Sequence, residues 1–353
     1  MIRLLLLSSL LLTSFPSLAQ DEAMKERLAQ WLKRYPEADT NKDGTLSLEE
    51  ATAFREKMRS GEGDDRKGKK RVKIEPNHRD VAYGDHERHR FDLWIPEKAN
   101  SDGLPFPLLV YFHGGGFVAG DKATFDPRAY LSEGIACASV NYRFVDGGEI
   151  TSPVPFEDAS RALQTIRHRA AEWNIDPGRV ALSGGSAGAV ITLWIGYHDD
   201  LADPDSDDPI ARQSTRVTTL VPINGPTNLM PDWIIEHVGG PKQIHGSFAK
   251  LFGEPVSYPI QEGLRAKIAE ASPWEYATAD DPPTYLVYSG PLDETPLPET
   301  VTPGKSIHHP AFGRELKKKL EELGVETLFR HGFDPRGTPD IPDYLKSQFG
   351  MVE

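Results

Sequence analysis

Two glycine-rich turns, each directly after a short apolar run, constrain this chain more than any other feature. In residues 180–188, VALSGGSAG, the apolar run 180–182 leads into Gly184, Ser186 and Gly188, which fit G-x-S-x-G, and a helix-forming run continues to 195. A serine on such a strand-to-helix turn sits in a strained backbone that lifts its hydroxyl above the sheet, so its neighbours must be small. Gly184, Gly185, Ala187 and Gly188 meet that demand. The other turn, His113-Gly114-Gly115-Gly116, follows the apolar run 108–112. Successive glycines let main-chain N–H groups approach a developing oxyanion without a Cβ in the way, and each such donor contributes roughly 3 kcal/mol to a transition state. The pair predicts a nucleophile, Ser186, beside an oxyanion hole made by the amides of Gly114 or Gly115 and of Ala187. No G-x-G-x-x-G or G-x-x-x-x-G-K-[ST] pattern occurs at 113–116, which argues against a phosphate-binding turn.

Around these turns the pattern alternates: apolar runs at 91–95, 108–112, 135–141, 180–182, 217–223 and 326–330, with helical stretches at 157–174, 187–195 and 313–323. Such alternation predicts an α/β fold, a mostly parallel sheet covered by helices. Residues 228–271 break the rhythm and carry Trp233, His237, His245, Phe248, Phe252 and Tyr258. They are expected to form a partial cap over the site, although for any single aromatic the cap's own core is the better expectation. The run TYLVYSGPLD ends at Asp293, where the acid of a Ser-His-Asp set should follow its strand, with Glu294 as the nearby substitute. Three histidines could supply the base: His331, at the end of the run 326–330, and His308 and His309, on the Pro-rich segment 291–310. His331 is the first expectation; His113 is expected to be structural.

These motifs, together with ACASVNYR at 136–143, EDASRALQTIRHRAAEWNIDPGRV at 157–180 and Ser272-Pro273 ahead of DDPPTYLVYSGPLD, give a chain that resembles α/β-hydrolases of the carboxylesterase and hormone-sensitive-lipase-like branch, near acetyl-xylan and feruloyl esterases. The resemblance covers roughly residues 72–349. It implies the α/β-hydrolase fold and a secreted serine esterase acting on small-molecule or polysaccharide esters through Ser186, Asp293 and His331. It also implies a histidine in the loop after the last strand, and the corresponding residues 334–338, Asp-Pro-Arg-Gly-Thr, contain none. That departure keeps a degenerate hydrolase fold, binding carbohydrate or protein, as an alternative, with a serine peptidase as a second.

The remaining regions set the context. Residues 1–19 carry Arg3, an apolar run at 4–12 and Ser17-Leu18-Ala19, a pattern expected of a signal peptide, and hence of export to the periplasm or beyond. No apolar stretch reaches the about 20 residues that span a bilayer, so no stable membrane insertion is expected. A formal charge of −13 makes nucleic acid an improbable partner, and the single Cys137 cannot form an internal disulfide. Residues 20–60 form an expected EF-hand module: Asp39, Asn41, Asp43, Thr45, Ser47 and Glu50 occupy the ligand positions of a twelve-residue calcium loop, with Gly44 at its bend. Ca2+ is the expected cofactor there, in a structural role, and the ester chemistry requires none. A charged linker, 61–73, then leads to the catalytic domain at 74–353, which contains the cap-like insertion. The sequence leaves the oligomeric state open.

Overall fold

The computed structural model describes residues 25, 28, 29, 31, 32, 35–51, 53, 54, 73–97, 103–293, 295–332 and 338–351. The expected signal peptide, Glu294, residues 334–337 and the linker apart from Lys73 lie outside them. Two compact units are distinguished, Met1–Lys70 with Phe333–Thr338, and Arg71–Gly332 with Pro339–Glu353.

In the larger unit the described residues form an eight-stranded sheet: β1 (His78–Ala82), β2 (Arg90–Trp94), β3 (Phe106–Phe112), β4 (Ala136–Val140), β5 (Ile175–Gly185), β6 (Thr219–Ile223), β7 (Thr284–Tyr288) and β8 (Thr327–His331). Their order is β1-β2-β4-β3-β5-β6-β7-β8. β2 runs antiparallel to both β1 and β4, and the other pairs are parallel. The apolar runs are continuous because side chains alternate between two covered faces. Leu108, Val110, Phe112, Ala138, Val140 and Leu182 enter one buried cluster; Leu109, Cys137, Ala181 and Val221 enter the other.

Helices close both faces. They are α1 (Arg128–Leu131), α2 (Val154–His168), α3 (Ala187–Tyr197), α4 (Pro231–His237), α5 (Ser247–Phe252), α6 (Glu262–Ala271), α7 (Pro303–Ile307), α8 (Ala311–Glu322) and α9 (Ile341–Gln348). α3 is buried at every residue, which is why its sequence is apolar all round instead of amphipathic. On the opposite face α9 contributes Tyr344 and Leu345, with Phe349 just beyond it. Cys137 is fully buried, and burial pushes its thiol well above the usual range, so it packs as a small apolar group.

Two stretches differ from expectation. The expected helix 157–174 ends earlier, at His168; a 3-10 turn (Ala170–Trp173) follows, and Asn174 takes a left-handed conformation that stops the helix and starts the longer β5. The Pro-rich segment contains α7, started by Pro303 at its first position and by the Thr302 hydroxyl, which accepts from the Lys305 N–H.

The smaller unit has its own core of Ala38, Leu46 and Ala51, packed against Leu28, Trp31, Leu32, Tyr35 and Phe54. Residues 25, 28, 29, 31 and 32 are helical, as are 48–51, 53 and 54, and the expected metal loop lies between these two stretches.

Leu109 is completely buried in the core cluster that also contains Tyr344 and Leu345 of α9. Leu109→Ala should destabilise the larger unit by about 2–5 kcal/mol, seen as a lower urea midpoint at unchanged m-value.

Candidate active site

Parallel pairing of β3 with β5 aligns Phe112 with Gly184, so the two glycine-rich turns leave the sheet side by side at the carboxyl ends of neighbouring strands. Ser186 then adopts φ 54°, ψ −115°, and its N–H is held by the Ile223 carbonyl at 2.9 Å. Such a conformation is unfavourable for a residue with a side chain, and the turn sustains it only because its flanks are bare. A Cβ on Gly188 would lie 2.0 Å from the Phe112 carbonyl oxygen.

The HGGG turn packs directly against the serine. Gly115, at φ +110°, could carry no side chain, since a Cβ would lie 2.0 Å from the Ala119 carbonyl oxygen. Gly115, Gly116, Ser186 and Ala187 line one half-open cavity of about 520 Å³. Among the described residues, the N–H groups of Gly115, Gly116 and Ala187 have no acceptor in the protein. Gly114 is not part of the cavity wall; a Cβ on it would lie 2.8 Å from the Gly185 carbonyl oxygen and 3.3 Å from the Ser186 Cβ. Gly116 is a cavity-lining candidate donor that the sequence reading did not name, although the third glycine of the motif was the available signal.

His113 holds this turn from beneath. Its ring is buried and stacked on Tyr142 at 4.4 Å. Its Nδ1 lies 2.8 Å from the Gly114 carbonyl oxygen, and its Nε2 lies 3.1 Å from the Arg88 guanidinium. Burial, the leading cause, lowers its pKa, which matches a neutral ring that donates at Nδ1 and accepts from Arg88 at Nε2. Arg88 also donates to the Tyr142 and Gly120 carbonyls, and the Tyr142 hydroxyl donates to the His113 carbonyl.

The imidazole beside Ser186 belongs to His308, whose Nε2 lies 2.8 Å from Ser186 Oγ. The first expectation, His331, stands elsewhere. That residue ends β8, three strands from β5 in the sheet, and at about 4.8 Å per strand it stands roughly 14 Å away across the ladder. Its ring packs instead against Phe329, at 5.1 Å. His309 is buried with Nδ1 accepting from the Ala311 N–H. His308 follows the last residue of α7, and its Nδ1 lies 2.6 Å from the Gly304 carbonyl oxygen. Asp293 does not reach His308; it pairs with Lys305 at 3.4 Å, with 42% of its side chain exposed.

The rest of the cavity wall is largely apolar, including Phe117, Val118, Val190, Leu229, Phe248 and Ile307. From the cap, His245 and Ser247 also face it, their side chains 2.9 Å apart. Of the other cap aromatics, Phe252 is fully buried and Trp233 packs between Trp274 and Phe312, so both serve the core.

In the smaller unit the expected metal loop folds around its own amides. Asp39 accepts from the Asp43 and Gly44 N–H groups, Asn41 from Asp43, and Asp43 from Thr45. Glu50 reaches back to the Thr40 and Asn41 N–H groups and to the Ser47 hydroxyl. Those bonds, led by the Ser47 hydroxyl, hold the Glu50 carboxyl down to about 2. Among the described residues no group of three or more His, Cys, Asp or Glu side chains is gathered as a metal cluster. The oxygen-only donor set nonetheless suits a hard cation, and Gly44, at φ +83°, makes the bend that such a loop requires.

The sheet, its helices and the serine turn together define an α/β-hydrolase. The BD-FAE family model matches residues 91–298, and the chain belongs to that family of α/β-hydrolase esterases. A probable isoprenylcysteine α-carbonyl methylesterase of Arabidopsis thaliana is 30% identical over 43% of this chain and 31% of its own length. A probable carboxylic ester hydrolase of Mycobacterium tuberculosis is 26% identical over 59% of this chain and 46% of its own length. The chain thus spans less than half the length of these relatives. Among solved structures, a truncated carbohydrate esterase from gut microbiota superposes with TM-score 0.59 at 19% identity, covering 77% of this chain and 96% of that one. An acetyl ester-xyloside bifunctional hydrolase from Caldicellulosiruptor lactoaceticus gives 0.55 at 22% identity, covering 79% and 94%. These two likenesses establish the fold.

A pH dependence follows from His113. Its pKa is lower folded than unfolded, so its contribution to stability is present above about pH 6.5 and is lost as pH falls through the folded value. The urea midpoint should drop between about pH 7.5 and 5.5, and should drop less in His113→Asn. An equal drop in both proteins would contradict the assignment of a neutral ring.

Proposed function

We propose that this protein is a serine esterase in which Ser186 is the nucleophile and His308 the general base, acting on acylated sugars or other small carboxylic esters. The observation that carries the reading is the 2.8 Å contact between Ser186 Oγ and His308 Nε2 at the floor of the cavity. In the acylation step the Ser186 proton passes to His308 Nε2 as Oγ bonds to the ester carbonyl carbon. The carbonyl π pair moves onto its oxygen, which the N–H groups of Gly115, Gly116 and Ala187 receive. Collapse breaks the bond to the alcohol oxygen, which takes the proton from His308. Water then repeats the sequence on the acyl-enzyme and releases the acid.

The sugar-ester assignment draws on the carbohydrate esterase and acetyl ester-xyloside hydrolase among the structural neighbours and on a cavity open enough to leave a bulky alcohol outside. The smaller unit is proposed to bind Ca2+ through Asp39, Asn41, Asp43, Thr45, Ser47 and Glu50, where the ion would supply a rigid cross-link between the two helical stretches. Residues 1–19 are proposed to direct export.

The wild type should label with a fluorophosphonate and hydrolyse short p-nitrophenyl esters. Ser186→Ala and His308→Ala should each lose about 10⁴-fold or more in kcat, whereas His331→Ala should stay within about 3-fold. Equal losses in the two histidine variants would refute His308 as the base. For the smaller unit, Ca2+ should raise the thermal midpoint and chelator should reverse the rise; Glu50→Gln should abolish it. An unchanged midpoint in the wild type would remove the calcium proposal.

A further inference from the structure

An imidazole that takes a proton from serine at Nε2 must carry its own hydrogen on Nδ1, and some acceptor has to hold that hydrogen and the ring plane. We propose that the Gly304 main-chain carbonyl performs this task for His308, so that the site operates as a serine–histidine dyad with Asp293 outside it; this inference rests on the esterase reading above. The neutral ring has one Nδ1 hydrogen, and the Gly304 oxygen at 2.6 Å already engages it. That carbonyl is open for a structural reason. The His308 N–H turns to the Ser306 carbonyl instead of the carbonyl one helical turn back, and so leaves Gly304 among the orphan acceptors that end a helix. The side chain fills the place of the missing amide.

The seat of this carbonyl is well defined. Thr302 caps the start of α7, Ile307 is buried, and the Ser306 hydroxyl donates to the Gly239 carbonyl at 2.9 Å. Asp293 lacks the attributes of an orienting carboxylate. It is exposed, its partner is the Lys305 ammonium, and no carboxylate bonds to His308 among the described residues. A carbonyl fixes tautomer and orientation as a carboxylate does, but it adds no full negative charge to balance the imidazolium.

Measuring kcat/KM for p-nitrophenyl acetate against pH in the wild type and in Asp293→Asn, with fluorophosphonate labelling of both, tests the dyad. Asp293→Asn should keep its activity within about 5-fold, as expected for loss of an exposed ion pair, and the acid limb of its profile should not move. A loss approaching 10⁴-fold, or a displaced acid limb, would show that Asp293 orients the base and would overturn the dyad. Thr302→Ala, which loosens α7, should lower kcat about 10-fold with KM unchanged, and Thr302→Ser should restore it. Unchanged kcat in Thr302→Ala would also count against the assignment to Gly304. A wild type that neither labels nor turns over would instead refute the esterase reading itself, an outcome separable from the Asp293 result.

Discussion

The pairing of β3 with β5 is the constraint on which the site depends. With Phe112 set opposite Gly184, two turns distant in sequence become neighbours, and the backbone of each occupies space that side chains on the other would need. A slip of one residue would exchange the faces of Leu108, Leu109 and Val110, moving each into the wrong core, so burial on both sides of the sheet fixes the register. The precision of the nucleophile turn is therefore inherited from the packing of the sheet. Arg88 and His113 extend that control to the glycine turn from below.

Much of this was legible because it lies in local pattern. The strand, turn and helix around Ser186, the glycine turn, and the layered α/β order follow from short runs whose chemistry depends on near neighbours in the chain. The base was not legible in the same way. His331 had the expected chain order, but it is the last residue of β8 itself, three strands from β5, and not on a loop beyond the strand that could carry it across the sheet. His308 was one of three candidates, and what distinguishes it is α7, a helix too short for its period to show and hidden in a Pro-rich segment. Its signals, Thr302 before Pro303, were present but weak. Asp293 fell where the strand pattern placed it, yet it engages Lys305 and not the imidazole.

The two units also differ in how they achieve order. The larger one buries a continuous apolar interior on both sides of its sheet, whereas the smaller one rests on a few apolar residues and a loop dense with carboxylate-to-amide hydrogen bonds. Small cores of this kind usually need a cross-link, and the Ca2+ proposed for the acidic loop would supply one independent of catalysis.

The helix that carries His308 is tied to the cap. The Ser306 hydroxyl donates to the Gly239 carbonyl, while Leu297 donates to Val238 and Gly240 to Leu297 through the main chain, so both α7 and the segment before it are hydrogen-bonded to the inner edge of the insertion. Ser186, in contrast, is anchored to β6 through Ile223. On the proposed mechanism nucleophile and base thus have different supports, one on the sheet and one beside a helix hydrogen-bonded to the insertion 228–271. On that mechanism an acyl group that shifted the insertion would also shift α7 and draw the imidazole off the serine, so that fit in the cavity would be expressed in turnover instead of in affinity.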